Sequence, residues 1–85
     1  METLRHIVKS EHGIHARPAG KLAQKVREYR SKITVEKEGK AVSAAKVIGI
    51  MSLGAKKGDP ILFSIEGSDE KEALFGLKEF CDREL

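Results

Sequence analysis

The stretch KITVEKEGKAVS, residues 32–43, decides the fold. Ile33 and Val35 alternate with Thr34 and Glu36, the period of two that sends successive side chains to opposite faces of a sheet. Glu38-Gly39 makes a turn and residues 40–43 return as a short strand, so the segment reads as a β-hairpin. Downstream, Ile61, Phe63 and Ile65 alternate with Leu62 and Ser64, which makes 60–66 a further strand. Gly67-Ser68 then opens a final helix. Ser68 is its expected N-cap, Asp69, Glu70 and Glu72 suit the positive end of a helix, and Ala73, Leu74, Leu77, Phe80 and Cys81 form the buried stripe.

Upstream of the hairpin, Ala19, Leu22, Ala23 and Val26 fall at i, i+3, i+4 and i+7, and Tyr29 extends the stripe. This is an amphipathic helix with a basic outer face. Residues 3–9 are rich in β-formers and read as a strand, and 10–13 as a loop. The apolar run 46–53, KVIGIMSL, stops at Gly54; it is a strand or a short helix, and periodicity does not choose. With a helix there, the order is β-α-β-β-α-β-α. That is one α+β domain over residues 1–85, a sheet with helices on one face and solvent on the other.

Eighty-five residues with a hydrophobic fraction of 40% supply one modest core and no enclosed pocket for a large substrate. Such a chain works by presenting a surface. Sixteen Lys and Arg against 13 Asp and Glu leave +3, too small an excess to require a nucleic-acid partner. The cations cluster: Arg17, Lys21, Lys25, Arg27 and Arg30 face a single acid, Glu28, between positions 17 and 30. A cluster of that kind favours acidic protein surfaces. Cys81 is alone, so no internal disulfide forms, and its core-type position implies a buried, inert thiol and a reducing cytoplasm. No signal peptide is evident, and no stretch approaches the ~20 apolar residues that span a bilayer, so no membrane insertion is expected.

The chemistry lies in Gly13-Ile14-His15-Ala16-Arg17-Pro18-Ala19, where the loop enters the first helix. Gly13 permits a left-handed turn. Pro18 fits the first helical turn, where a missing N–H does little harm. The helix therefore starts at about Ala16, and His15 takes the N-cap position. Histidine is not a favoured N-cap. Here its imidazole stands beside the free N–H groups of Ala16 and Arg17 and the positive end of the helix dipole, a setting for an anion that disfavours the imidazolium. A neutral imidazole is the form that attacks phosphorus. Arg17 adds a cationic donor, so nucleophile, anion site and charge clamp lie within three residues.

The run GIHARPA, with the later VIGIMSLGAKKGD and the closing GSDEKEAL, resembles the HPr family, the histidine-containing phosphocarriers of the bacterial sugar phosphotransferase system. The resemblance covers essentially the whole chain. It implies an open-faced β-sandwich, a four-stranded antiparallel sheet covered on one face by three helices, and makes 46–53 a short helix. It implies a carrier that forms a phosphohistidine intermediate, rather than a stand-alone enzyme. His15 would be phosphorylated at Nδ1 and Arg17 would steady the phosphoryl group. Enzyme I, charged from phosphoenolpyruvate, would be the donor and the IIA domains of sugar permeases the acceptors. The carrier itself would need no cofactor or metal, although magnesium supports phosphorylation of the donor, and it would act as a monomer. The resemblance also implies a docking surface: Val47, Ile48 and Met51 of the short helix, ringed by Lys21, Lys25, Arg27 and Lys46, with Ile50 and Leu53 in the core.

Four positions depart from the family pattern, two of them, Gly20 and Lys56, by small changes at the edge of the expected site. Position 46 usually carries a serine that caps the second helix and, in many members, is a regulatory phosphorylation site; here it is Lys46, which offers no hydroxyl and whose charge is unfavourable at a helix N-terminus. Position 12 is more often Asn, Ser or Thr; here it is His12, read as an exposed loop residue, the alternative being a second imidazole that touches the phosphoryl group. His6 reads as a sheet residue. Two other functions compete: a regulatory, nitrogen-related branch that uses the same histidine chemistry, and a basic nucleic-acid-binding module. The second is poorly supplied, because of Tyr29, Phe63, Phe75 and Phe80 only Phe75 is free of the core stripes.

Overall fold

Alternation in the strands becomes a two-faced sheet. The computed structural model describes residues 1–85 and contains β1 (Glu2–Ile7), α1 (Ala16–Val26), β2 (Lys32–Lys37), β3 (Lys40–Ser43), α2 (Val47–Ser52), β4 (Pro60–Glu66) and α3 (Glu70–Glu84). The strands form one antiparallel sheet in the order β1-β4-β2-β3. Phe63, at the centre of β4, pairs with Leu4 on one side and Val35 on the other. Its neighbours Ile61 and Ile65 point the same way, and all three are buried with Ile33 and Val35 under the helices. Burying a side chain of this size is worth ~1.5–3 kcal/mol, so this row is the main adhesive between sheet and helices. The opposite face carries Thr3, Arg5, Ile7 and Leu62, all exposed.

The α1 stripe is buried as its spacing requires: Ala19, Leu22, Ala23 and Val26. The helix ends at Val26, so Tyr29 lies beyond it in the following turn, half-buried, with the Lys25 ammonium 5.5 Å from its ring centroid. Gly76 on α3 provides the notch for this tyrosine, because a Cβ there would coincide with the Tyr29 hydroxyl. The hairpin turn falls at Glu38 and Gly39, with φ of 50° and 84°, the two successive positive values of a tight two-residue loop.

Two expected boundaries moved. The first strand stops at Ile7 rather than Lys9, because the next amides are used elsewhere: Val8 N–H donates to Asp59 O, and Lys9 and Ser10 N–H both donate to Leu85 O. Asp69, not Ser68, takes the N-cap position of the last helix, and its side chain makes no capping bond. The Asp69 carboxylate accepts Arg30 N–H (2.8 Å), Ser31 N–H (2.9 Å) and Ser31 Oγ–H (2.6 Å), and this ties the helix start to the α1–β2 turn. Glu70 reaches back to Gly67 N–H at 3.1 Å, and its other oxygen pairs with the N-terminal ammonium at 2.9 Å. Cys81 is buried, and burial pushes its thiol up to about 12. No helix is long and apolar enough to cross a membrane.

Candidate functional site

Gly13 fixes the approach to His15. Its φ is +66°, and a Cβ would overlap Ala55 O and lie 3.0 Å from Lys56 Cα. Glycine is therefore required twice, for its dihedral and for its lack of a side chain. The Gly13 amide donates to Ser10 O at 3.0 Å and the next amide, Ile14, donates to Ala55 O at 3.0 Å, while the Ile14 side chain is buried. The supporting loop is itself held by Asp59, whose carboxylate accepts Lys56 N–H at 2.8 Å and pairs with Lys37 at 3.4 Å. The Lys56 amide, with Lys37 behind it, holds that carboxyl below the ordinary aspartate range.

His15 occupies the N-cap of α1 in an extended conformation, φ −91° and ψ −171°, and its carbonyl accepts Ala19 N–H at 3.0 Å. Its side chain makes no capping bond. Pro18 has no N–H and Ala19 N–H is engaged, so the donors left at this helix end are Ala16 and Arg17, which have no acceptor in the chain. The exposed imidazole opens on a shallow cavity of about 230 Å³ lined by Ser10, His15, Arg17, Pro18, Lys21 and Glu84. Lys21 Nζ lies 3.3 Å from Glu84 Oε1. The floor is tied down by the C-terminus: Leu85 is buried and its carbonyl accepts Lys9 N–H at 2.7 Å and Ser10 N–H at 3.2 Å.

Against a model of the PTS HPr component phosphorylation site, the chain matches over residues 3–83. This chain belongs to the HPr family. It is 40% identical over 77 residues to the HPr-like protein Crh of Halalkalibacterium halodurans, a match covering 91% of this chain and 92% of the relative. The crystal structure of HPr from Thermoanaerobacter tengcongensis superposes with a TM-score of 0.93 at 38% identity, covering 99% of this chain and 94% of that one. Crh of Bacillus subtilis, a catabolite-repression protein seen as a dimer with a swapped domain, superposes with a TM-score of 0.78 at 33% identity over 100% and 98% of the two chains. The open four-stranded sheet with three helices is thus the HPr fold, and the chain is an HPr-family phosphocarrier.

In this HPr-family chain the short α2 presents two faces. Ile50 and Leu53 are buried, whereas Ile48 is 82% and Met51 41% exposed, and Val47 is half-buried. Lys46 stands at the helix N-cap, exposed and without a capping bond, while Ser43 Oγ accepts Ala45 N–H at 3.2 Å one turn earlier. Arg27 donates from Nη2 to Ala45 O at 2.8 Å, which brings its guanidinium beside the start of α2. Lys21 lies in the His15 cavity. Lys25 is turned away: it pairs with Glu28 at 3.3 Å and packs toward Tyr29 and Gly76, on the α1–α3 side.

Four residues of this region escaped the sequence reading. Lys37 and Lys40 approach the C-terminal carbonyls of α2, Leu53, Gly54 and Ser52, at 3.4–3.5 Å. Glu84 and Leu85 meet the His15 loop from the far end of the chain. No local pattern announces either pairing, because each joins segments distant in sequence.

Proposed function

We propose that this chain shuttles phosphoryl groups in a sugar phosphotransferase system, taking them from Enzyme I onto His15 and passing them to IIA domains of sugar permeases. The observation that carries the reading is an exposed imidazole at a helix N-cap whose neighbouring amides, Ala16 and Arg17, have no partner. The lone pair of the neutral imidazole Nδ1 attacks phosphorus, the donor's bond to phosphorus breaks with its electron pair, and the group now on His15 meets two N–H donors and the Arg17 guanidinium. Because the site is preformed, the chain contributes orientation and charge stabilisation rather than a pocket. In the onward step a nucleophile of the acceptor attacks the phosphorus, and the P–N bond breaks with its electron pair returning to the His15 ring. Ile48 and Met51, rimmed by Lys21, Arg27 and Lys46, form the surface on which both partners would dock.

The test is incubation with Enzyme I, magnesium and labelled phosphoenolpyruvate. One acid-labile, base-stable phosphate is expected on the wild type and none on His15→Ala. Label retained by His15→Ala refutes the assignment. The likeness to Crh favours a second reading, a regulatory carrier whose phosphorylated form acts by contact. Transfer of label from His15 to a purified IIA domain supports the transport role, and failure of that step with intact labelling supports the regulatory one. We read the chain as a cytoplasmic monomer; sedimentation at a single-chain mass checks this against the dimeric form of its Crh relative.

A further inference from the structure

We propose that His12 is a second imidazole donor to the phosphoryl group on His15. The inference rests on the phosphocarrier reading above and concerns the occupied state of the same site. The two rings stand perpendicular, 84° apart, with centroids 6.0 Å from each other. Both are exposed. A phosphoryl group added to His15 enters the space beside that ring, and a charge-assisted N–H···O bond needs a donor about 2.7–2.9 Å from an oxygen. A small rotation of an exposed side chain already at this spacing supplies it.

The main chain of His12 is fixed on both sides. Before it, Lys9 and Ser10 are held by Leu85 O; after it, Gly13 and Ile14 are held by Ser10 O and Ala55 O. The ring is therefore delivered by a pinned loop, not by a mobile one. The His15 cavity holds Arg17 and Lys21, the latter paired with Glu84, and Lys56 Cα lies under Gly13, the residue after His12. The acid on its own segment, Glu11, pairs with Lys57 at 3.6 Å. These surroundings receive an anion. A neutral imidazole offers one N–H and an imidazolium two, so the phosphoryl dianion favours protonation of His12, and a protonated His12 holds the dianion more tightly. His12 thereby makes the phosphorylated state more favoured whenever its own ring carries the second proton.

The experiment uses the full chain, its His12→Asn and His12→Ala variants, and phosphoramidate as a small phosphoryl donor. A His15 nitrogen attacks phosphorus, the P–N bond of the donor breaks and ammonia leaves, with no partner protein involved. Phosphorus and imidazole NMR follow both rings over pH 5.5–8, a window of roughly one to one and a half units either side of the histidine range. The expected result is that the His12 ring signals turn over at a higher pH once His15 is phosphorylated. The phosphorylation rate near pH 6 should fall roughly three- to tenfold in His12→Ala, with His12→Asn, which keeps an N–H donor, recovering most of it. An unchanged turnover pH, or a loss in His12→Ala that His12→Asn does not recover, overturns the role of His12 while leaving the carrier intact. Failure of wild-type His15 to take phosphate from phosphoramidate and from Enzyme I alike overturns the carrier reading itself.

Discussion

Replacing Gly13 with alanine should be among the more damaging single-methyl changes in the chain. Two costs combine. A residue other than glycine at φ +66° costs ~1–2 kcal/mol. The new Cβ also overlaps Ala55 O and crowds Lys56 Cα, both main-chain atoms, so the 54–59 loop must move, at an overpacking cost of ~1–3 kcal/mol. A loss of about 3 kcal/mol is expected, which in a domain of this size lowers Tm by ~12–24 °C. Gly58→Ala is the control: its φ is +91° but nothing lies within 4 Å of the added Cβ, so only the dihedral cost applies. Gly20→Ala, in α1 with open space around it, should instead gain ~0.5–1 kcal/mol. Urea unfolding of the three variants measures the series, and labelling of His15 in folded Gly13→Ala measures how far the nucleophile has moved. A Gly13→Ala no less stable than Gly58→Ala refutes the argument that contact with Ala55 fixes the histidine loop.

Three other outcomes are expected. Ile48→Ala, at an exposed position, should leave stability within ~0.5 kcal/mol of wild type and raise the KM of the donor for this carrier roughly tenfold, read by transfer kinetics at several carrier concentrations. Asp59, Asp69 and Glu70 are held below the ordinary carboxylate range: Asp59 mainly by Lys56 N–H, Asp69 mainly by the Ser31 hydroxyl, and Glu70 mainly by the N-terminal ammonium. Their contribution is complete above their unfolded values, 3.8 for aspartate and 4.5 for glutamate, and is lost as pH falls through the folded ones. Tm should thus decline on acidification below about pH 4.5, and Asp69→Asn should flatten that limb while lowering Tm at neutrality, because the amide nitrogen cannot accept from the main chain. Cys81, with its thiol pushed up to about 12 and buried, should resist an aromatic disulfide reagent at pH 8 until the chain unfolds.

Much of this architecture is legible locally. The alternation of Ile33, Val35, Ile61, Phe63 and Ile65 carries its own answer, since a half-buried strand must alternate, and the spacing of Ala19 to Val26 likewise states which side of α1 is covered. The run 46–53 is ambiguous because six helical residues make fewer than two turns, too few for a period to show. What stays invisible is set by contacts between distant segments. Lys9 leaves the sheet because Leu85 O claims its amide; the last helix starts after Asp69 rather than Ser68, and the Asp69 carboxylate is held by Arg30 and Ser31 instead of by its own helix. The same holds at the site. Gly13, His15, Arg17 and Pro18 declare themselves as one short segment, whereas Glu84 and Leu85 join them only through the packing of α3 against β1.

The central claim is that the amides of Ala16 and Arg17 wait for a phosphoryl group on His15. Proton–nitrogen NMR of the chain before and after phosphorylation tests it directly. A phosphorus signal coupled to the His15 ring is expected, together with marked downfield movement of those two amide protons and little change in the sheet. A phosphorus signal assigned to any other residue, or two amides that do not respond, contradicts it.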